Sequence, residues 1–151
     1  MDIDSEAPEA RSASAVLLMA EMANLGDAVR VSSISKLSSA EKRLEKIRIY
    51  VRCNYARPIT IEEIASYVGM NRTAFCAFYK KETGKTFITA LNEFRLEMAA
   101  QLLQSHPEMP VSDVAESVGF GTPPHFVRSF TRWKGVSPGK WRNGFIGQAR
   151  L

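Results

Sequence analysis

Hydrophobic positions recur with a helical period along most of this chain. Spacings of three and four residues place apolar side chains on one face of an α-helix. Residues 41–55 do so through Leu44, Ile47, Tyr50, Val51 and Tyr55. Residues 87–103 do so through Phe87, Leu91, Phe94, Met98 and Leu102. Because no segment alternates with the two-residue period of a strand, the pattern predicts an all-α fold.

Polar caps and glycines predict where these helices begin and end. Thr60 and Glu63 have the spacing of a capping box, in which Glu63 reaches back to the start of the helix. Asn71 is expected to cap the next helix, and Gly84 to end it. Thr86 is expected to cap a long helix over residues 86–105.

A second group of helices is predicted between Gly119 and Arg142. Thr122 caps a helix that has prolines in its first turn, where an amide proton has no intrahelical partner. Its apolar back consists of Phe126, Phe130 and Trp133, and its front of His125, Arg128 and Arg132. Gly135 ends the helix, and Ser137-Pro138 opens another. An apolar back and a basic front behind a glycine turn are what a recognition helix requires.

The two groups of helices are copies of one pattern. Ile64-Ala65 and Val68-Gly69-Met70 recur 50 residues later as Val114-Ala115 and Val118-Gly119-Phe120. Phe75, Tyr79 and Gly84 recur 51 residues later as Phe126, Phe130 and Gly135. Such a repeat is more specific than either copy alone. It predicts two helix-turn-helix subdomains, at 41–84 and 110–142, joined by the helix over 86–105.

Charge divides the 151 residues into an acidic leader and a basic remainder. Residues 1–40 hold three basic residues against six acidic ones, and the rest of the chain carries a net charge of +7. We expect the leader to contain one short helix over 14–25 and a serine-rich linker over 31–39. A tandem helix-turn-helix domain is expected over 41–151. The basic remainder favours a polyanionic partner, although a solvated basic surface would give the same charge.

Residues 41–142 resemble the DNA-binding domain of the AraC/XylS family of bacterial transcription regulators. The resemblance rests on Ile64-Ala65, Gly69-Met70, Phe75, the run 78–84, Arg95, Ala99, Leu102-Leu103, Val114-Ala115, Gly119-Phe120, Phe126, Phe130, Gly135, Ser137-Pro138 and Arg142. It implies about seven helices, with two recognition helices in successive major-groove segments of one DNA face. It also implies that the leader is the end of an effector-sensing, often dimerising half that many members carry upstream.

The resemblance and the exposed positions together give a set of candidate DNA contacts. The set is Arg72, Thr73, Cys76, Ala77, Lys80, Lys81, Thr122, Pro124, His125, Arg128 and Arg132. The family's base-reading positions in the first recognition helix fall on Thr73, Cys76 and Ala77, whose short side chains offer few hydrogen bonds. Arg72, Lys80, Lys81 and Arg132 suit phosphates. Arg128 falls where the family often places an arginine that contacts a base, and its fork suits guanine.

Other classes of function find less support. The chain has no glycine-rich phosphate loop, no nucleophile elbow and no zinc-ligand spacing, so we expect neither an enzyme nor a cofactor or metal site. Two cysteines and no apolar run of membrane-spanning length favour the cytoplasm. The expected partners are promoter DNA, RNA polymerase, and a second copy through the leader. The alternative is a helical protein- or effector-binding module that has lost DNA binding.

Overall fold

The computed structural model describes residues 37–149, and seven α-helices lie within that range. They are α1 (Ser39–Asn54), α2 (Ile61–Tyr67), α3 (Arg72–Thr83), α4 (Phe87–Ser105), α5 (Val111–Ser117), α6 (Pro123–Lys134) and α7 (Pro138–Ala149). No strand occurs in residues 37–149, which confirms the all-α fold. The helix predicted over 14–25 lies outside the described residues, and the division of the chain at residue 40 stays a prediction.

Helix α1 begins earlier than its hydrophobic pattern indicates. The Ser38 hydroxyl accepts a hydrogen bond from the Glu41 amide at 3.2 Å, and the Glu41 carboxylate accepts one from the Ser38 amide at 2.7 Å. This reciprocal pair is a complete capping box. It starts the helix at Ser39, so the prediction of a linker as far as residue 39 was wrong at its end.

The predicted side-chain caps are confirmed at α2, α3, α4 and α6. Side-chain oxygens of Thr60, Asn71, Thr86 and Thr122 each accept a hydrogen bond from the amide three residues later. Gly84 and Gly135 end α3 and α6 in the left-handed conformation, each at φ 79°. These caps satisfy backbone groups that a helix leaves unpaired at its ends. The limits of both recognition helices were therefore predicted correctly from their caps and glycines.

The Glu63 carboxylate has a different main role from the one expected. It pairs with the Arg57 guanidinium at 2.5 Å and accepts a hydrogen bond from the Tyr50 hydroxyl. Arg57, then Tyr50, lower the pKa of Glu63 to about 2, and the Thr60 backbone contributes least. The carboxylate thus connects α1, the following loop and α2 instead of serving mainly as a cap.

The connecting helix α4 buries more of its circumference than one hydrophobic stripe. It packs against α3 and also against α5, α6 and α7. Its buried residues are Phe87, Leu91, Arg95, Leu96, Ala99, Ala100 and Leu103. Of the predicted stripe, Phe94, Met98 and Leu102 are only half-buried. The predicted stripe does pack against the protein, and α4 buries further residues beside it because it has neighbours on more than one side.

Aromatic residues hold both recognition helices against α4 and its neighbours. In the first subdomain Phe75 is fully buried, with its ring centroid 5.5 Å from that of Phe87. In the second, Phe126 and Phe130 are fully buried and belong to a core that includes Leu103 of α4. The burial of these rings confirms that they belong to the core and leaves the opposite face of each helix in solvent.

A buried arginine links the second glycine turn to the end of α1. Arg95 of α4 is 8% exposed. Its Nε donates to the Tyr55 carbonyl at 2.8 Å, and its Nη2 donates to the Arg57 carbonyl at 2.9 Å. Burial lowers the pKa of Arg95, although a guanidinium remains charged in proteins. The two carbonyls compensate part of the cost of removing this charge from water.

Gly119 lies directly against this linkage, whereas Gly69 has open space around it. Both glycines adopt positive φ, at 72° for Gly69 and 92° for Gly119. A Cβ at Gly119 would lie 2.5 Å from the Tyr55 carbonyl oxygen and 3.0 Å from the Arg95 Nε. A Cβ at Gly69 would meet no atom within 4 Å. The two copies of the turn therefore share a backbone conformation but differ in packing.

This difference predicts unequal costs for the same substitution. Gly69→Ala should lower the free energy of unfolding by about 1–2 kcal/mol, the cost of placing an L-residue in the left-handed region. Gly119→Ala should cost at least about 1 kcal/mol more, because its methyl group displaces backbone. Thermal unfolding followed by circular dichroism measures both, at about 4–8 °C per kcal/mol. Equal shifts in Tm would show that the close approach at Gly119 has no energetic effect.

Candidate nucleic-acid interface

Helix α3 presents a small, polar front to solvent. Arg72, Thr73, Cys76, Ala77 and Lys80 are all exposed, as the helical spacing predicts. Lys81 is exposed beside them. Thr73, Cys76 and Ala77 carry short side chains between the two basic ends of this face. The short side chains therefore allow the middle of this face to approach another molecule closely, while the basic residues lie at its two ends.

Helix α6 presents a more strongly basic front. Thr122, Pro124, His125, Arg128 and Arg132 are all exposed. The Thr122 hydroxyl already accepts a hydrogen bond from the His125 amide at 3.4 Å. The His125 ring lies against that of Phe120, with centroids 5.4 Å apart. Arg128 and Arg132 are one helical turn apart, which places them on the same face of α6.

The two recognition helices are equivalent in position but not in chemistry. Their first residues, Arg72 and Pro123, are 51 residues apart, as are their caps. The turn before α6 has one more residue than the turn before α3, and Gly121 accounts for it. The same offset places Ala77 where α6 has Arg128. An arginine is therefore present at this position in only one of the two copies.

The basic residues of the interface differ in whether they have an acidic partner. Arg72 forms an ion pair with Glu62 of α2. Within residues 37–149, no ion pair involves Lys80, Lys81, Arg128 or Arg132. An unpaired cation on the surface is available to a phosphate without first losing a partner. On this criterion Arg72 stands apart from the other four.

Two basic side chains near α6 serve the fold instead of the exposed front. The Lys134 ammonium lies 4.3 Å from the centroid of the Trp133 ring and 4.7 Å from that of Trp141. Arg142 donates to the Met109 carbonyl at 2.5 Å. The cation–π contacts of Lys134 with the two tryptophan rings stabilise the packing of these helices. The tryptophans at positions 133 and 141 are the sequence signal for the role of Lys134, which the helical spacing alone did not indicate.

Other kinds of site are not formed by the described residues. Cys53 and Cys76 are exposed free thiols on different helices. In residues 37–149 no group of three or more His, Cys, Asp or Glu side chains could hold a metal ion. Nor does that part of the chain include a helix long and apolar enough to cross a membrane.

Comparison with known proteins identifies the family. The profile of a helix-turn-helix domain matches residues 64–144, which include both glycine turns and both recognition helices. The chain belongs to the AraC/XylS family of transcription regulators. This is a family of regulators and not of enzymes. The resemblance stated from the sequence motifs is confirmed.

Curated relatives of this family share the helix-turn-helix region. The chain is 36% identical over 83 residues to RclR of Escherichia coli K12, an RCS-specific transcriptional activator, covering 55% of this chain and 29% of RclR. It is 31% identical over 102 residues to the activator RhaR of Klebsiella pneumoniae, covering 68% of this chain and 36% of RhaR. The chain thus spans about a third of the length of these curated relatives.

Solved structures share the same arrangement of helices. The C-terminal domain of AraT, a response regulator from Geobacillus stearothermophilus, is 30% identical with a TM-score of 0.65, over 71% of this chain and 88% of that one. The DNA-binding domain of the global transcriptional factor AdpA, solved with a target DNA, has a TM-score of 0.65 at 24% identity. It covers 70% of this chain and 94% of the AdpA domain. At that identity the likeness to AdpA concerns the fold.

Lys80 of α3, which has no ion pair within residues 37–149, leads to a prediction about the salt dependence of DNA binding. Lys80→Ala should weaken binding to all DNA sequences alike and reduce the slope of log affinity against log salt by about 0.9. The matched control is Lys85→Ala, because Lys85 is also exposed but its ammonium pairs with Glu93 at 2.6 Å. Fluorescence anisotropy between about 50 and 200 mM salt gives both slopes. If the Lys80 and Lys85 variants have the same slope, Lys80 does not contact phosphate.

Proposed function

We propose that this chain binds double-stranded promoter DNA with sequence preference and thereby regulates transcription. The observation that supports this most strongly is the pair of capped helices α3 and α6, each anchored by buried aromatic rings. Each leaves exposed basic residues on the opposite face. A helix that docks in a hydrophobic groove of another protein presents an apolar face, whereas these two fronts are polar and basic. Double-stranded DNA is the partner that matches two such helices.

In this proposal phosphate contacts position the protein. Lys80 and Arg132 are exposed at the C-terminal ends of the fronts of α3 and α6, and Lys81 is exposed beside Lys80. Contacts to phosphate oxygens fix the orientation of a protein on the duplex without reading its sequence. Because these three cations have no ion-pair partner among residues 37–149, they can replace condensed counterions directly.

Base reading is assigned mainly to the second helix. Arg128 is exposed on the front of α6, and a guanidinium can donate two hydrogen bonds to O6 and N7 of guanine. His125, Thr122 and Pro124 at the start of α6 remain candidate contacts. In α3, Thr73, Cys76 and Ala77 can offer methyl or thiol contacts to a thymine methyl group. The second helix therefore supplies most of the hydrogen-bonded specificity in this proposal.

Both helices are proposed to engage one face of the same duplex. Two recognition helices on one chain do not need a symmetric partner, so a monomer can occupy an asymmetric site with two boxes. The boxes would lie about one helical turn, or 34 Å, apart. Helix α4 has 19 residues and is therefore about 28 Å long, and its packing on both sides fixes the separation of the subdomains.

Further partners and the location of the protein remain predictions. Contact with RNA polymerase and self-association through residues 1–40 are both compatible with a regulator. The cytoplasm is the compartment in which a bacterial regulator of this family would meet DNA. A helical protein- or effector-binding module that has lost DNA binding is the competing function. It is favoured if a selection against random duplexes enriches no sequence.

Arg128 provides the test of base reading. Arg128→Ala should cost about 1–3 kcal/mol on the preferred site and relax the preference at one base pair. The fold should be retained, because Arg128 is exposed while Phe126 and Phe130 form the core. Lys80→Ala is the matched control, since it should weaken preferred and random duplexes equally. Lost helicity in the Arg128 variant, or an unchanged preference, would contradict this assignment.

The spacing between boxes provides the test of two-helix binding. Inserting half a turn of DNA between the boxes should abolish simultaneous binding, because it places the second box on the opposite face. Inserting a full turn should not restore it, since α4 cannot lengthen. Footprinting is expected to show both boxes protected on the parent site and one box on either variant. Full affinity for the half-turn variant would mean that only one recognition helix engages.

A further inference from the structure

The first residue of α3 is held by an acidic residue of the preceding helix. The Arg72 Nη1 contacts the Glu62 Oε1, and the two side chains are 65% and 60% exposed. The backbone N–H of Glu62 and then the Arg72 guanidinium lower the pKa of this carboxyl, so it is ionised at neutral pH. Only one of the five guanidinium donors is used by this contact. Within the described part of the chain no further hydrogen bond uses this guanidinium, so its other donors can bind another acceptor.

The second subdomain has no counterpart of this pair. The offsets of 50 and 51 residues place Ser112 at the position of Glu62, and Pro123 at the position of Arg72. The same offset places Arg128 at the position of Ala77. Each recognition helix therefore has one arginine in its first two turns, but at different positions. Among residues 37–149, only the arginine of α3 has an acidic partner.

The ion pair changes what Arg72 can contribute on DNA. Glu62 and Arg72 together carry no net charge, so they release few counterions when a phosphate approaches. The charges of the neighbouring residues Glu63 and Arg57 also cancel, because these two side chains form an ion pair. In contrast, a guanine edge offers two neutral acceptors and does not require a net positive charge. A guanidinium held at one nitrogen has also lost part of its conformational freedom before binding.

We infer that Arg72, oriented by Glu62, is a base-reading residue of α3 and that Glu62 acts as its positioning residue. The inference rests on the proposed DNA-binding function. It replaces the phosphate contact that the sequence suggested for Arg72. Recognition helices of helix-turn-helix proteins contact base edges with their N-terminal residues, and Arg72 is the first residue of α3. The residues behind it, Thr73, Cys76 and Ala77, are too short to form a bidentate contact to guanine.

The test compares three variants on the preferred duplex and on a random duplex. Arg72→Ala should lose roughly 5- to 150-fold in preference at one base pair, with little change in the salt slope. Glu62→Gln should release Arg72 as a free cation, so random-duplex affinity should rise and the salt slope should steepen by about 0.9. In the double variant, the gain produced by Glu62→Gln should disappear. That result distinguishes an action through Arg72 from simple repulsion between Glu62 and phosphate.

Glu116→Gln is the matched control for net charge. Glu116 is exposed on α5, the counterpart of α2, and no ion pair joins it to another residue of the range 37–149. This variant removes the same charge but should leave the ratio of specific to random affinity unchanged. An equal effect of Glu62→Gln and Glu116→Gln would overturn the positioning role of Glu62.

Other outcomes would overturn the base-reading role itself. An Arg72→Ala variant that weakens all duplexes alike and lowers the slope by about 0.9 would make Arg72 a phosphate contact. An Arg72→Ala variant that binds like the parent would exclude it from the interface. In both cases the parent protein still prefers one sequence, so the proposed function survives. If the parent prefers no sequence, the proposed function fails together with this inference.

Discussion

The pairing of the Arg95 guanidinium with two backbone carbonyls is the contact on which the arrangement of the subdomains depends. Arg95 lies in the connecting helix, and its acceptors at Tyr55 and Arg57 lie just after the first helix. Gly119 of the second turn packs against the same place. Three distant parts of the chain therefore meet at one buried charge. Removing the charge would leave two carbonyls without their donor, so the cost of losing it is high. This requirement fixes the segment after the first helix and the second turn against the connecting helix.

Much of the fold could be predicted because its signals are local. A cap such as Asn71 acts on an amide three residues away, and a glycine such as Gly135 ends a helix through its own backbone conformation. The repeat then predicted the tertiary arrangement, because two copies of one sequence pattern are expected to form the same helix-turn-helix structure. Exposure of Arg128 and burial of Phe126 follow from helical spacing in the same way.

The features that the sequence did not predict depend on distant partners. The carbonyls bound by Arg95 are 38 and 40 residues away, so no spacing along the helix could indicate its burial. Glu63 has the spacing of a cap but finds a stronger partner in Arg57. The pair between Glu62 and Arg72 likewise crosses from one helix to the next. Choosing between competing partners requires three-dimensional distances, which a one-dimensional pattern does not contain.

The exposed faces of the two recognition helices carry different residues, so the domain has a defined polarity along DNA. Helix α3 has Ala77 where α6 has Arg128, so the two ends of the domain are not interchangeable on DNA. A symmetric dimer reads a palindrome identically from either side. Within the proposed function, this chain would bind an asymmetric site in one orientation only. Turning the site around would therefore exchange the positions of α3 and α6 along the duplex.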